Sequence, residues 1–177
     1  MEFSLQEWRE GFAPSLSESA DDIRIARMLR DGFPHPYTLR DAEAFIAYTR
    51  SAVRELHRAV VIEGRAVGAL SLTKRRGAYN GSAELGYWLA PDYWGFGIMT
   101  EAVRLLIGEA FLWHDIARVY AELFTDNLAS RRVLEKCGFR MEGLLPQSVR
   151  KGGALLDSCI YGLTREEWKK NEDRRRQ

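Results

Sequence analysis

The stretch Ser82–Phe111, SAELGYWLAPDYWGFGIMTEAVRLLIGEAF, decides the fold of this chain. Residues 83–89 alternate between two faces with the two-residue period of a β-strand. A proline and the pair Gly95 and Gly97 end that pattern. From Thr100 onward, apolar residues recur at helical spacing along one face, at Ala102, Leu106, Ala110 and Trp113. The stretch therefore predicts a strand, a glycine turn and a helix.

The glycine turn predicts an anion site. A helix that opens directly after a tight turn points unpaired N–H groups at solvent from the positive end of its dipole, and such groups bind phosphate. Gly95 and Gly97 let a pyrophosphate approach the main chain because they carry no Cβ. The glycines do not follow the strand directly, as a dinucleotide fingerprint requires, and the Gly-Lys-Ser/Thr of a P-loop is absent. On these residues alone, a turn without a ligand is an equal alternative.

Composition argues against several classes of protein. The 177 residues carry a net charge of +1 with acids and bases interspersed, so bulk charge does not favour nucleic acid or an anionic membrane as a partner. Cys137 and Cys159 lack metal-ligand spacing, so we expect buried thiols in a reducing compartment and no metal site. No apolar run approaches the length of a membrane span and the first residues do not resemble a secretory signal. We therefore expect a cytoplasmic protein.

The order of elements predicts an α+β sheet. The length fits one domain over residues 1–177, with a frayed basic tail from about residue 169. We expect Ser19, Thr38, Asn127 and Thr164 to cap helices, Thr38 together with Asp41 three positions on. Strands are predicted at 58–62, 66–73, 83–89, 117–125, 139–145 and 154–163. The strands at 83–89 and 117–125 are joined through a helix, so they are expected to be parallel neighbours.

Four further segments resemble one family of enzymes. They are Asn127–Gly143 (NLASRRVLEKCGFRMEG), Phe33–Ala42 (FPHPYTLRDA), Glu84–Trp88 (ELGYW) and Leu163–Trp168 (LTREEW). Together with the glycine turn, they make the chain closely similar to the GNAT acetyltransferases, and most similar to their RimJ/RimL branch. The resemblance implies the GNAT fold, a mostly antiparallel mixed sheet of about seven strands flanked by helices, with a splayed parallel pair. It also places a first strand between residues 1 and 12.

The resemblance implies that acetyl-CoA is the co-substrate, with its thioester in the opening between the two parallel strands. The family's pyrophosphate motif, Gln/Arg-x-x-Gly-x-Gly/Ala, falls on Trp94–Met99 and departs from it at both ends. Main-chain N–H groups bind the phosphates, so the departures leave that mechanism in place. Backbone groups of the first parallel strand are expected to pair with the pantetheine. The residues expected to bind the cofactor are Trp88, Leu89, Ala90, Trp94, Gly95, Phe96, Gly97, Ile98, Met99, Thr100, Asn127 and Ser130.

Acetyl transfer by direct attack of an amine requires a base and a donor for the leaving thiolate. Glu84 is the expected base, and an exposed strand acid is the alternative reading of that residue. Asp157 is the rival carboxylate, in a strand expected near the same cleft. Some relatives carry a base soon after the Glu-Gly pair, but the segment 146–150 of this chain has no acid. Ser130 is the expected thiolate donor, and a serine that only completes the helix start is an equal alternative. Many relatives have a tyrosine as general acid further along this helix, where Leu134 stands here, so the donor is Ser130 or a water.

The acceptor is not readable from the sequence. The resemblance implies an N-acetyltransferase for a primary amine, either a peptide N-terminus, such as that of a ribosomal protein, or a small amine. A detoxifying acetyltransferase for an antibiotic or an amino acid is the alternative enzyme, and a non-catalytic acyl-CoA-binding module is the alternative of another class. A nicotinamide-nucleotide enzyme is disfavoured by the displaced glycines and by Thr100. Many relatives pair, so a homodimer is one expectation, although the sequence shows no exposed apolar seam.

Overall fold

The computed structural model describes residues 1–112 and 115–176. Trp113, which the sequence places on the apolar face of a helix, lies outside the described residues. The helices are α1 (Ala13–Ala20), α2 (Ile23–Ala26), α3 (Leu39–Ser51), α4 (Ile98–Leu112), α5 (Leu128–Lys136) and α6 (Arg165–Arg176). The strands are β1 (Ser4–Gln6), β2 (Glu55–Ile62), β3 (Arg65–Lys74), β4 (Ser82–Leu89), β5 (Arg118–Phe124), β6 (Arg140–Lys151) and β7 (Ala154–Thr164).

The seven strands form one mixed sheet in the order β1-β2-β3-β4-β5-β7-β6. Strands β4 and β5 pair in parallel, with Ser82 to Glu84 opposite Arg118 to Tyr120. The pairs β1–β2, β5–β7 and β6–β7 are antiparallel. The predicted α+β architecture, with about seven strands and a parallel pair joined through a helix, is therefore confirmed. The expected splaying of that pair stays a prediction.

The chain divides into two compact units that each contain parts of the sheet. The first unit comprises Met1–Leu72 and Gly86–Ala102, and the second comprises Thr73–Leu85 and the chain from Val103 onward. The boundaries fall within β3, β4 and α4, so each of these elements contributes residues to both units. The expectation of a single domain over residues 1–177 stays a prediction.

The first unit is built around an aromatic core. The Trp8 ring contacts Phe12 and Phe45 edge-on, with ring centroids 6.2 and 5.2 Å apart. Phe12 and Leu16 are fully buried, and Leu16 lies on α1, which the sequence analysis missed. The other buried members of this core are Ala13, Ala20, Tyr37, Ala42, Ile46, Ala59, Val61, Ala66 and Ala69. Helix α1 is thus stabilised by packing of its apolar face, and its local sequence carries no strong helix signal.

Side-chain caps set the starts of α2 and α3. The prediction that Ser19 caps a helix is wrong, because Ser19 lies in the last turn of α1. Asp22 caps α2 instead, and its Oδ1 accepts a hydrogen bond from the Arg24 N–H at 2.7 Å. Thr38 and Asp41 form the predicted capping box of α3, in which each side chain accepts from the backbone N–H of the other residue.

One face of α4 is buried at the positions expected from the sequence. Ala102, at the end of the first unit, and Leu106 and Ala110, in the second, are all fully buried, whereas Leu105 is half exposed. Helix α6 begins with the predicted capping box, in which Thr164 and Glu167 bond reciprocally at 3.0 to 3.2 Å. The helix then continues to Arg176, through the charged stretch for which the sequence predicts a frayed tail.

Strand β6 forms one end of the sheet and is irregular. Its pairing with β7 shifts register between Met141 and Gly143 and again between Leu145 and Val149. The second shift contains Pro146, which has no N–H, and Gln147, whose φ is +50°. The Gln147 N–H donates to a carboxylate oxygen of Asp157 at 2.8 Å, which holds the irregular segment against β7.

Strand β2 carries a buried histidine next to a carboxylate. The His57 side chain is 7% exposed, and its Nε2 lies 2.7 Å from Glu55, which also accepts from the Tyr48 hydroxyl at 2.7 Å. Nδ1 of His57 makes no hydrogen bond to the described residues. Burial lowers the pKa of His57 below its ordinary value of 6.5, against the opposing effect of Glu55. Protonation would place an unpaired N–H inside the core, so the folded state favours neutral His57.

Because the pKa of His57 is lower in the folded chain, the unfolded chain binds the proton more readily and acid destabilises the fold. We expect the free energy of unfolding of the wild type to fall between about pH 7.5 and pH 5.5, and to fall less for His57→Gln. Urea denaturation at both pH values measures this difference. An equal loss in the two proteins would contradict the assignment.

Candidate functional site

The predicted glycine turn leads directly into α4, within the first unit. A short 3₁₀ turn at Pro91–Tyr93 follows β4, and Gly95 and Gly97 then adopt left-handed backbone with φ of +84° and +78°. The helix begins at Ile98, two residues earlier than the sequence indicates. The Glu101 N–H donates to the Gly97 carbonyl at 3.2 Å, which places the amides of 98–100 in the first helical turn. The turn thus has the geometry of an anion site.

The turn is exposed, whereas the helix start behind it is buried. Trp94 and Phe96 are 46% and 60% exposed, while the side chains of Ile98, Met99 and Thr100 lie in the interior. The guanidinium of Arg24 lies 5.8 Å from the centre of the Trp94 ring. Arg24 thereby brings a positive charge near the turn, although Asp22 engages the same guanidinium at 2.6 Å.

Backbone groups at the end of β4 are already engaged within the first unit. The Trp94 indole donates to the Leu89 carbonyl at 2.7 Å, and the Ala90 N–H donates to the Val67 carbonyl at 2.8 Å. These are two of the groups expected to pair with pantetheine. A cofactor that pairs with the Leu89 carbonyl must share that oxygen with the indole or displace it.

Glu84 lies in the second unit and is the last residue of β4 that pairs in parallel with β5. Its side chain is 20% exposed and its Oε2 lies 3.7 Å from the Arg75 guanidinium. The Tyr120 hydroxyl, on the paired residue, donates to the same oxygen at 3.2 Å. The carboxylate is therefore held in one orientation and is partly accessible, as a proton acceptor must be.

Asp157, the rival carboxylate in the second unit, has a different setting. It is exposed, and its Oδ1 accepts the Gln147 N–H of the irregular part of β6. Its backbone carbonyl accepts the Thr125 N–H at 3.1 Å. These contacts give Asp157 a structural role at the β6–β7 irregularity, and they weaken its candidacy as the base.

Asn127 caps α5, as predicted, and also orients Ser130. Its Oδ1 accepts the Ser130 N–H at 3.1 Å, so the serine lies in the first helical turn. Leu134, which stands where many relatives have a tyrosine, is completely buried. Its apolar side chain has no proton to donate to a thiolate.

The sequence does not predict two polar networks that lie in the second unit. In one, the buried Tyr161 hydroxyl lies between Arg131 and Glu135 of α5. The spacing of these two charges, four residues apart on a helix, is the signal that could have shown them on one face. In the other, the buried Ser158 hydroxyl donates to Glu122 at 2.7 Å and contacts the Ser148 hydroxyl at 2.7 Å. Nothing in the local sequence marks this second network.

Residues 1–112 and 115–176 contain no cluster of three or more histidine, cysteine or acidic side chains that could hold a metal ion. The helices within these ranges are also too short or too polar to span a bilayer. Both cysteines are buried and form no disulfide, and burial raises the pKa of the Cys159 thiol.

Comparison with known proteins identifies the family. The family profile described as "Acetyltransferase (GNAT) domain" matches residues 3–140. The chain therefore belongs to the GNAT acetyltransferase family, and the predicted fold and family are confirmed. The structure is similar to that of Mycobacterium smegmatis RimJ in complex with CoA-disulfide, with a TM-score of 0.83 and 28% identity, over 93% of this chain and 83% of that one. This likeness confirms the resemblance to the RimJ/RimL branch.

Two of the curated relatives from Bacillus subtilis (strain 168) are similar to this chain over more than half of its length. The probable N-acetyltransferase YjcK is 42% identical over 102 residues, which cover 57% of this chain and 56% of the relative. The putative ribosomal N-acetyltransferase YdaF is 35% identical over 109 residues, which cover 62% of this chain and 59% of the relative. The chain thus spans little more than half the length of these relatives.

The left-handed backbone of the turn predicts a cost for any side chain at Gly97. The space around the Gly97 Cβ position is open, so Gly97→Ala should destabilise the fold by about 1 kcal/mol through backbone strain alone. Gly143→Ala is the matched control, because that position is equally open and its φ is not left-handed. Denaturant unfolding of both variants measures the difference, and equal stabilities would contradict the role of the positive φ.

Proposed function

We propose that this protein is an acetyl-CoA-dependent N-acetyltransferase that acetylates a primary amine by direct attack on the thioester. The observation that carries the proposal is the glycine turn into α4, which has the conformation that a diphosphate-binding helix start requires. Membership of the GNAT family and the coenzyme A disulfide named in the complex of the related RimJ support coenzyme A as the ligand.

The turn binds the pyrophosphate through main-chain N–H groups of 95–100. Gly95 and Gly97 have no other atoms within 4 Å of their Cβ positions, so phosphate oxygens can approach the backbone there. The dipole of the 15-residue helix α4 adds a favourable interaction with the negative charge. The substitutions of the family motif at Trp94 and Met99 leave these main-chain donors unchanged.

In the chemical step, Glu84 accepts a proton from the acceptor ammonium, directly or through a water. The neutral amine then forms a bond to the thioester carbon, and collapse of the tetrahedral intermediate breaks the carbon–sulfur bond. Ser130 donates its hydroxyl proton to the leaving thiolate and takes up, through water, the proton that the amine nitrogen loses as the amide forms. The Tyr120 hydroxyl fixes the orientation of the Glu84 carboxylate throughout. No covalent enzyme intermediate is required.

The acceptor that we propose is a protein N-terminus. The relative YdaF is named as a putative ribosomal N-acetyltransferase, which favours the N-terminus of a ribosomal protein over a small amine. Release of coenzyme A thiol in the presence of short peptides with free N-termini, compared with simple amines and aminoglycosides, tests this choice. Turnover of small amines alone would contradict it, and binding of acetyl-CoA without any turnover would indicate a non-catalytic module.

Gly97→Ala should weaken acetyl-CoA binding about tenfold or more, because a Cβ at that position meets the phosphates and the left-handed backbone is strained. Isothermal titration calorimetry of the wild type, of Gly97→Ala and of Gly143→Ala measures the affinities. We expect the control to bind as the wild type does. If wild-type protein bound NADH and not acetyl-CoA, the proposed function would be wrong.

Glu84→Gln should lower kcat for thiol release about 100-fold without weakening acetyl-CoA binding, because the amide cannot accept the proton. Asp157→Asn is the matched control, since its amide oxygen still accepts the Gln147 N–H and its position is exposed. The control should retain nearly full activity. A larger loss for Asp157→Asn than for Glu84→Gln would move the role of base to Asp157.

A further inference from the structure

The hydroxyl of Tyr161 links β7 to two charged side chains of α5, entirely within the second unit. It accepts a hydrogen bond from Arg131 Nε at 3.2 Å and donates one to Glu135 at 3.0 Å. Tyr161 is 1% exposed and is among the largest fully buried side chains of the described residues. The one buried hydroxyl thus accepts a hydrogen bond from the Arg131 guanidinium and donates one to the Glu135 carboxylate.

Arg131 makes a second contact that ties α5 to the end of β5. Its NH1 group donates to the Thr125 carbonyl at 3.4 Å. Thr125 is itself held to β7, because its N–H donates to the Asp157 carbonyl at 3.1 Å. The guanidinium therefore bridges the residue that follows β5 and a residue of the neighbouring strand β7. These contacts restrict rotation of α5 about its own axis.

Ser130 directly precedes Arg131, so the two side chains point about 100° apart around α5. Fixing the rotation of α5 through Arg131 therefore fixes the direction in which the Ser130 side chain leaves the helix. The Asn127 cap sets where the helix begins, but a backbone cap leaves the rotation of the whole helix against the sheet undetermined. The Arg131–Tyr161 contact supplies that missing constraint.

We propose that Arg131 and Tyr161 are positioning residues that aim the Ser130 hydroxyl at the leaving thiolate. This inference rests on the proposed function and deepens it, because it assigns a role in the reaction to two side chains that act through Ser130. A misdirected Ser130 donates its proton poorly, which slows collapse of the tetrahedral intermediate.

The hydrogen bond between Arg131 and Tyr161 does not depend on pH near neutrality. Burial raises the pKa of the Tyr161 hydroxyl, with Arg131 opposing that shift, so the hydroxyl remains a donor to Glu135. The hydrogen bond to Tyr161 raises the pKa of Arg131, which stays charged. Neither group therefore changes its protonation state near neutral pH.

A double-mutant cycle tests the inference. Tyr161→Phe removes the hydroxyl while filling the same space, and we expect kcat for thiol release to fall about fivefold to tenfold. In a Ser130→Ala background the same change should alter kcat by less than about twofold, because no hydroxyl remains to be aimed. Arg131→Lys keeps the charge but loses the planar contact, and it should show the same dependence on Ser130.

Controls separate positioning from loss of stability. Tyr48→Phe also removes a hydroxyl that donates to a glutamate, at 2.7 Å, but in the first unit, and it should leave kcat unchanged. Unfolding midpoints of every variant are measured alongside activity. Equal effects of Tyr161→Phe in the wild-type and Ser130→Ala backgrounds would overturn the inference and leave the proposed function intact. Absence of turnover in the wild type would overturn both.

Discussion

The positive backbone angles at Gly95 and Gly97 are the constraint on which the geometry of the candidate anion site depends. Only a residue without a Cβ takes up such angles at little cost. Two such glycines, separated by one residue, connect β4 to α4. The turn itself is exposed at Trp94 and Phe96, and the helix begins directly after it at Ile98. The sequence around the glycines can vary, as Trp94 and Met99 show, without altering that main-chain geometry.

The two carboxylates that the sequence leaves as rivals differ in what surrounds them. Asp157 is exposed, and its oxygen satisfies a main-chain amide at an irregular point of β6. Glu84 is mostly buried at the end of the parallel pairing, and a tyrosine from the neighbouring strand orients it. A carboxylate that satisfies a strained backbone has a structural reason to be present. Glu84 instead accepts a side-chain hydrogen bond from Tyr120 and lies beside Arg75, a setting that is consistent with the proposed role of base.

Local signals were readable from the sequence and long-range ones were not. The capping pairs Thr38–Asp41 and Asn127–Ser130 involve residues three positions apart, so their spacing alone predicts them. Helix α1 was missed because Leu16 and its neighbours are ordered by tertiary packing and not by a strong local pattern. Arg131 and Tyr161 are 30 residues apart, and their contact depends on strand register that no single segment encodes.

The irregular strand β6 has a consequence for the protein in a crowded cell. An outermost strand with a straight row of unsatisfied amides is a template on which a second chain can add, and such addition begins fibrils. Here Pro146 lacks an amide, and two register shifts bend the row out of line. The opposite border, β1, is only three residues long. Neither edge strand of the sheet is therefore well suited to pair with a strand of another chain. This limits aggregation of a protein that exposes Leu144 on β6 and Leu155 on β7.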